Sequence, residues 1–334
     1  MPLFIGIGPT DGGFHPSIHA AAAALVSHAV AAARCGRELH DIVHAGQDRV
    51  DRALLGVTAA GGAAFGSVVV HMAALESRIL GNDPRRSAGV VDLEGANTAV
   101  LAALKDRRLT SIADVAATMN RIDAALPDGD GLKWFNRLYH LVTGEVGAHV
   151  AATWERPAWL DRLDVIFAEL YFSGIEGCLS TPGGGPLAWR ALLDVRSDPR
   201  IAPVQFAFAG MSAHINRDLA VAVARTWVAQ DTPVRARATP EFHDYLAVNE
   251  LLDKVEPRAL DILCGSLLVA MDKASGRGAD WTALQMLHGA RDVAWSHAQA
   301  LNCLGVESEE ASDYIDGLDA VAAGCARAAL IPVG

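Results

Sequence analysis

The sequence predicts an all-α protein, a multi-helix bundle of about a dozen helices with at most one short N-terminal strand. Three observations predict it. Apolar residues recur at helical spacing along nearly the whole chain, and clean two-residue alternation is almost absent. Prolines (Pro16, Pro157, Pro203, Pro240, Pro257) open several of the apolar runs, where a missing N–H costs little. Small polar residues stand before such runs and glycines after them.

In chain order, the spacing predicts helices over 16–35, 38–55, 63–80, 92–106, 111–125, 131–153, 157–174, 186–196, 203–229, 240–253, 257–274, 280–303 and 308–328. Thr110 or Ser111 serves as an N-cap with Asp114 nearby, and Ser308 as another with two acids in the first turn. Gly36, Gly81 and Gly305 follow helix ends. Strand signals are few: "PLFIGIG" (2–8) and, more weakly, "AGVVDL" (88–93). Two glycine-rich loops, "GPTDGG" (8–13) and "STPGGGP" (180–186), lack the spacing of a phosphate cradle, so no nucleotide or dinucleotide is expected. They read as connectors, the second also as a lid.

The 334 residues suffice for one large domain or two ordinary ones. The seam at 81–91, "GNDPRRSAGVV", divides an Ala- and His-rich part (1–85) from a helical core (90–334), and the two parts can still share one hydrophobic centre. Apolar residues make up 51% and mean hydropathy is +0.22, much of it from alanine. The apolar stretch 20–32 is too short for ~30 Å of hydrocarbon, and the N-terminus lacks a basic leader, so no membrane role is expected. A net charge of −11 argues against nucleic acid, and the basic clusters at 83–89 and 234–240 are short. Cys35, Cys178, Cys264, Cys303 and Cys325 are widely spaced with no CxxC, which fits reduced thiols in a cytoplasmic protein.

From about residue 116 four long blocks stand out: "MNRIDAALPDGDGLKWFNRLYHLVT" (119–143), "WLDRLDVIFAELYF" (159–172), "AWRALLDVR" (188–196) and "QFAFAGMSAHINRDLAVAV" (205–223). "FHDYLAVNELL" (242–252) follows them. In that order they resemble a family of helical bacterial proteins known only as a domain of unknown function. The resemblance covers residues 116–253 well and the C-terminal helices loosely. It implies a helical fold and no particular reaction.

The chemistry therefore has to be read from the residues. In "AGMSAHINRDLAVAV" (209–223), His214, Asn216, Arg217 and Asp218 form a polar knot in an apolar helix. At 100° per residue Asp218 lies about 40° from His214, with Arg217 about 60° to the other side. A base one turn before an acid is the weaker order for a surface pair, so a buried role is expected. His214 and Asp218 can act as a general base and its orienting acid, or clamp a divalent metal if a third ligand is found. The alternative is a structural network tying helices together.

Further polar groups come from neighbouring blocks. Asn136, Tyr139 and His140 lie in 134–150, where Glu145 and His149 form an exposed pair in the favourable order. Asp164 and Tyr171 share a stripe of an apolar helix, and an Asp164–Arg217 contact across helices is the expected partnership. His243, Asp244, Tyr245 and Asn249 sit on the helix after Pro240. Glu-x-x-His, HExxH and GxSxG are absent, which disfavours di-iron, zinc-protease and ordinary α/β-hydrolase chemistry. The N-terminal pairs His15/His19 and His40/His44, with His28 and His71, read mainly as partly buried or interfacial histidines. Trp281, Leu284, Leu287, His288 and Trp295 form a stripe that is core or pocket wall.

These observations point to an enzyme acting on a small, largely apolar metabolite by lyase, cyclase, isomerase or hydrolase chemistry. His214, Asp218, Arg217, Asp164, Asn216 and Tyr171 are its expected catalytic group. Asn136, Tyr139, His140, Tyr245 and Asn249 are expected to bind substrate. A ligand-binding or scaffold protein is the second reading, and a metal enzyme using His214 and Asp218 the third. The Ala-rich N-terminal helices leave a homodimer open.

Overall fold

The computed structural model describes residues 52–64, part of 66–77, 91–149, 153–230, 237–263 and 278–333. The described residues are predominantly helical and contain no strand. The chain divides into two units, Met1–Leu54 and Leu55–Gly334. Nearly all of the first lies outside the described residues. So do strand 2–8, loop 8–13, Gly36, Gly81, Cys35, Cys264 and the histidines at 15, 19, 28, 40 and 44.

From residue 92 onward nearly every predicted helix is present, whereas before it one helix runs through 56–62, where a gap between helices 38–55 and 63–80 was expected. The described helices are α1 (Arg52–His71), α2 (Leu93–Leu104), α3 (Ile112–Ala125), α4 (Gly131–Ala148), α5 (Pro157–Ser180) and α6 (Leu187–Leu193). Next come α7 (Pro203–Ala213) and α8 (Leu219–Ala229), joined by a π turn at His214–Asp218. Then follow α9 (Pro240–Leu263), α10 (Gly278–Leu304) and α11 (Glu309–Ala329).

Their ends follow local chemistry. Ser111 accepts the Asp114 N–H at 3.2 Å, which satisfies an orphan donor at the start of α3, and the Asp114 carboxylate takes the N–H of Thr110, just before the cap, at 3.0 Å. Ser308 caps α11 in the same way. Gly305 takes φ +86° after α10, a conformation that a side chain would strain.

Three expectations need correction. "AGVVDL" is no strand over its described part, because Asp92 is spent as the N-cap of α2. Pro257 does not start a helix; it lies inside α9. Such a proline costs about 3 kcal/mol. Continuing the helix buries Val255 and Leu263, which offsets that cost. The continuous helix expected over 203–229 is broken by the π turn.

Among the described residues α1 is the one helix long and apolar enough to cross a membrane, although the apolar stretch singled out in the sequence was 20–32. Its small residues meet α11: a Cβ on Gly62 would fall 2.1 Å from Cys325 Sγ, and one on Gly66 3.4 Å from the Ala329 nitrogen. Helix α7 runs through the centre, and Pro203 to Gly210 are all buried. Gly210 presses on the Phe135 ring, where a Cβ would fall at 2.3 Å. Gln205 ties the start of α7 to the chain end by donating to the Ala329 and Ile331 carbonyls, both at 2.7 Å. The π turn itself packs against α5, α10 and α11.

Candidate functional site

A cavity of about 210 Å³ lies inside the second unit. Helices α4, α5, α7 and α9 give most of its wall, which is apolar: Leu138, Val142, Leu163, Phe208, Met211 and Leu252 are typical. The few polar side chains in that wall are Tyr139, Thr143, Asp164, His214, Glu256 and Arg291.

His214 enters this wall because of the π turn. The Leu219 N–H reaches back five residues to the His214 carbonyl, which widens the turn. Such bulges are frequent at functional sites. His214 Nδ1 lies 3.2 Å from Asp218 Oδ2. A carboxylate only accepts, so Nδ1 carries the proton and Nε2 is left with its lone pair. Nε2 is buried and has no hydrogen-bond partner.

Aromatic rings cover the imidazole. Phe167 stacks on it at 3.5 Å between centroids and 5° between planes, and Tyr139 meets it edge-on at 4.4 Å. Burial lowers the His214 pKa and the Asp218 carboxylate opposes that shift. The ring is therefore neutral at pH 7, with a free acceptor.

Asp218 is held from all sides. It accepts the Trp189 indole N–H at 3.0 Å on Oδ2 and Arg217 Nη1 at 2.5 Å on Oδ1. Arg217 Nε also lies 3.3 Å from Asp319, which accepts the Leu187 and Ala188 N–H groups at the start of α6. The expected Asp164–Arg217 contact is absent. Arg217 is taken by its chain neighbour and by an acid 102 residues away.

Asp164 instead faces the cavity from α5, one turn before Phe167. Its Oδ2 is buried with no hydrogen-bond partner. Burial, with a smaller push from Asp161, raises its pKa to about 7, against a pull from Arg291. Burial also raises Tyr139 well above its ordinary value, so this phenol stays protonated.

The remaining predicted residues divide by position. Tyr171 donates to Asn136 Oδ1 at 3.2 Å, and Asn136 donates to the Met119 carbonyl at 3.0 Å. Both are buried behind the cavity wall, where they tie α3, α4 and α5 together. Asn216 donates to Ser212 Oγ at 3.1 Å and does not line the cavity. His140 is half-buried on α4 and also off the wall. Glu145 and His149 do not pair: Glu145 bonds to Arg258, and His149 sits 2.7 Å from the Thr153 hydroxyl. Asp244 accepts the Glu155 and Arg156 N–H groups ahead of α5. Loop 180–186 is also off the cavity wall, so it is no lid over the site. In the C-terminal stripe Trp295 is core and Leu287 wall, while the side chains of Trp281 and Leu284 lie outside the described residues.

Tyr245 and Asn249 stand one layer behind the cavity and hold a residue that the sequence reading missed, Arg291. Its Nε donates to Asn249 Oδ1 at 2.7 Å and its Nη2 to the Tyr245 carbonyl at 2.8 Å. The guanidinium lies 4.5 Å from the centre of the Tyr245 ring. A signal was present: Leu287, Arg291 and Trp295 fall four residues apart, which puts a charge in the middle of an apolar stripe.

The metal reading of His214 and Asp218 finds no third ligand among the described residues. Among the described residues no three His, Cys, Asp or Glu side chains gather to hold an ion. Both oxygens of Asp218 are already engaged, one of them by a cation.

Residues 112–332 match a family model described as "Family of unknown function (DUF5995)". No curated protein and no solved structure matches the chain. The match spans well over half of the sequence, so the chain belongs to that family.

Proposed function

We propose that this member of a family of unknown function is an enzyme that moves a proton on a small, largely apolar metabolite held in the cavity. Lyase, isomerase, cyclase and hydrolase chemistry share that step. One observation carries the reading: a buried histidine, with its tautomer set by a carboxylate, leaves Nε2 unpartnered beside an apolar cavity. An unmade buried hydrogen bond costs about 1–3 kcal/mol, a cost a folding role would not require.

His214 Nε2 takes the proton. Asp218 steadies the resulting imidazolium, and Arg217 and Trp189 hold Asp218 in place. Asp164, at a pKa near 7, is the group able to return a proton from the cavity wall. Tyr139 offers its O–H to the substrate. Entry shifts one of the rings that cover His214. Asn216, Asn136, Tyr171 and His140, off the wall, have no direct part; Tyr245 and Asn249 act through Arg291. Cys178 and Cys325 are thiols outside any disulfide, which supports a reducing, cytoplasmic setting.

Deuterium wash-in tests this without a known substrate. Purified protein in D2O is offered a panel of small apolar carbonyl compounds, and exchange of their acidic C–H groups is followed by mass spectrometry. The reading expects exchange in at least one compound, lost by about 10²–10⁴-fold in His214→Asn with its Tm retained. Exchange that survives in His214→Asn, or binding with no exchange across the panel, overturns the reading and leaves a binding protein.

A further inference from the structure

Arg291 is 7% exposed, and no carboxylate among the described residues lies within ion-pair distance of it, although Asp164 acts on it from further off. Two of its nitrogens are spent on neutral oxygens of α9, and Nη1 has no partner in a residue that lines the cavity. A buried, uncompensated guanidinium costs several kcal/mol, and unlike a lysine it cannot give up its proton. The Tyr245 ring beneath it and the Asn249 amide beside it fix its plane, so its position is paid for in ordered neighbours.

The other charged groups on the wall, Asp164 and Glu256, make no close ion pair with it. Asp164 can become neutral by taking a proton, and burial favours that form. Glu256, two turns beyond Asn249 on α9, has an interaction of its own. Arg291 is the fixed cation at the edge of an apolar chamber of about 210 Å³, smaller than most metabolite sites.

We propose that the cavity takes a small apolar monocarboxylate, with its carboxylate on Arg291 Nη1 and its hydrocarbon part among Leu163, Phe208, Met211 and Leu252. A carboxylate on a buried guanidinium makes a charge-assisted hydrogen bond, stronger than a neutral one. The apolar wall gains by covering the chain. The proposal names the ligand class of the same cavity and rests on that cavity, not on the proton-transfer step.

Titration calorimetry with octanoate, 1-octanol and octylammonium tests it on the full-length protein at pH 7. Octanoate should bind at least about tenfold more tightly than 1-octanol, and octylammonium more weakly than either. Arg291→Met should remove the preference for octanoate and keep the affinity for 1-octanol; Arg291→Lys should retain part of the preference. If Arg291→Met does not fold, the wild-type ranking and a larger rise in Tm with octanoate than with 1-octanol carry the test alone. No octanoate binding, equal affinity for the alcohol, or preference for the amine overturns the proposal. Selective octanoate binding with no deuterium wash-in sinks the enzyme reading alone. Wash-in on uncharged compounds with no octanoate preference sinks this one alone.

Discussion

Among the described residues two histidines are buried, and they differ in what their second nitrogen meets. His297 on α10 is 1% exposed, and both of its nitrogens lie 2.7 Å from a hydroxyl, Thr58 Oγ1 and Tyr314. His214 is 3% exposed, with one nitrogen on a carboxylate and the other on nothing. Burial lowers both; it takes His297 to about 3, while Asp218 restrains the shift at His214. A histidine satisfied on both sides locks helices together. One satisfied on a single side, beside a cavity, keeps a usable lone pair.

The largest expected effect comes from removing what makes the two differ. Asp218→Ala takes the acceptor from Trp189 and His214 and one of two carboxylates from Arg217. It should cost about 3–5 kcal/mol in urea unfolding, because two buried donors lose their acceptor and Arg217 keeps only Asp319. A loss under about 1 kcal/mol would mean that Asp218 is not the anchor of the site.

Asp164 sharpens the comparison through pH. Its folded pKa, about 7, lies above its unfolded value, so between about pH 4 and 7 the folded state holds the proton that the unfolded state releases. Stability from this group therefore falls as pH rises through that window, by up to about 4 kcal/mol. Asp164→Asn should leave stability unchanged near pH 4 and gain most above pH 7. His297 has the opposite sign: its unfolded form binds a proton below about 6.5 and its folded form only near 3, so stability falls as pH drops. A flat difference between wild type and Asp164→Asn from pH 4 to 8 would show the carboxyl to be well solvated.

Leucine replacements compare the rings directly. His297→Leu removes the ring that bridges Thr58 and Tyr314 and should cost about 1–3 kcal/mol with no change in turnover. His214→Leu removes a nitrogen that had no partner and leaves Asp218 with Arg217 and Trp189. It should stay within about 1 kcal/mol of wild type in Tm-derived stability while abolishing wash-in. Equal costs would erase the distinction. The smallest effect should belong to a surface pair: His243 and Glu155 lie 3.1 Å apart but are 56% and 53% exposed, so His243→Ala should change stability by less than about 0.5 kcal/mol.

The helices were legible because their signals are local. Pro157, Pro203 and Pro240 open helices as predicted, and Ser111 and Ser308 cap them. Pro257 misled because the reason to continue α9 is the apolar surface that Val255 and Leu263 bury, which lies outside the local sequence. The i, i+4 meeting of His214 and Asp218 was readable from helical spacing, but the π turn was not, since no residue type announces it. The partners of Arg217 could not be read either: Asp319 comes from α11, and only the fold brings it there. Arg291 was missed although its place in an apolar stripe was visible, because a lone charge there is easily taken for a chain end reaching solvent.

The claim beneath all of this is that His214 Nε2 is an unprotonated acceptor within reach of a ligand in the cavity. Nitrogen-15 chemical shifts of the histidine rings measure it directly. At pH 7.5 the account predicts protonated Nδ1 and bare Nε2 for His214, and a shift of that Nε2 signal on adding octanoate while the His297 nitrogens stay still. A protonated Nε2, or a His214 signal as indifferent to octanoate as that of His297, would contradict it.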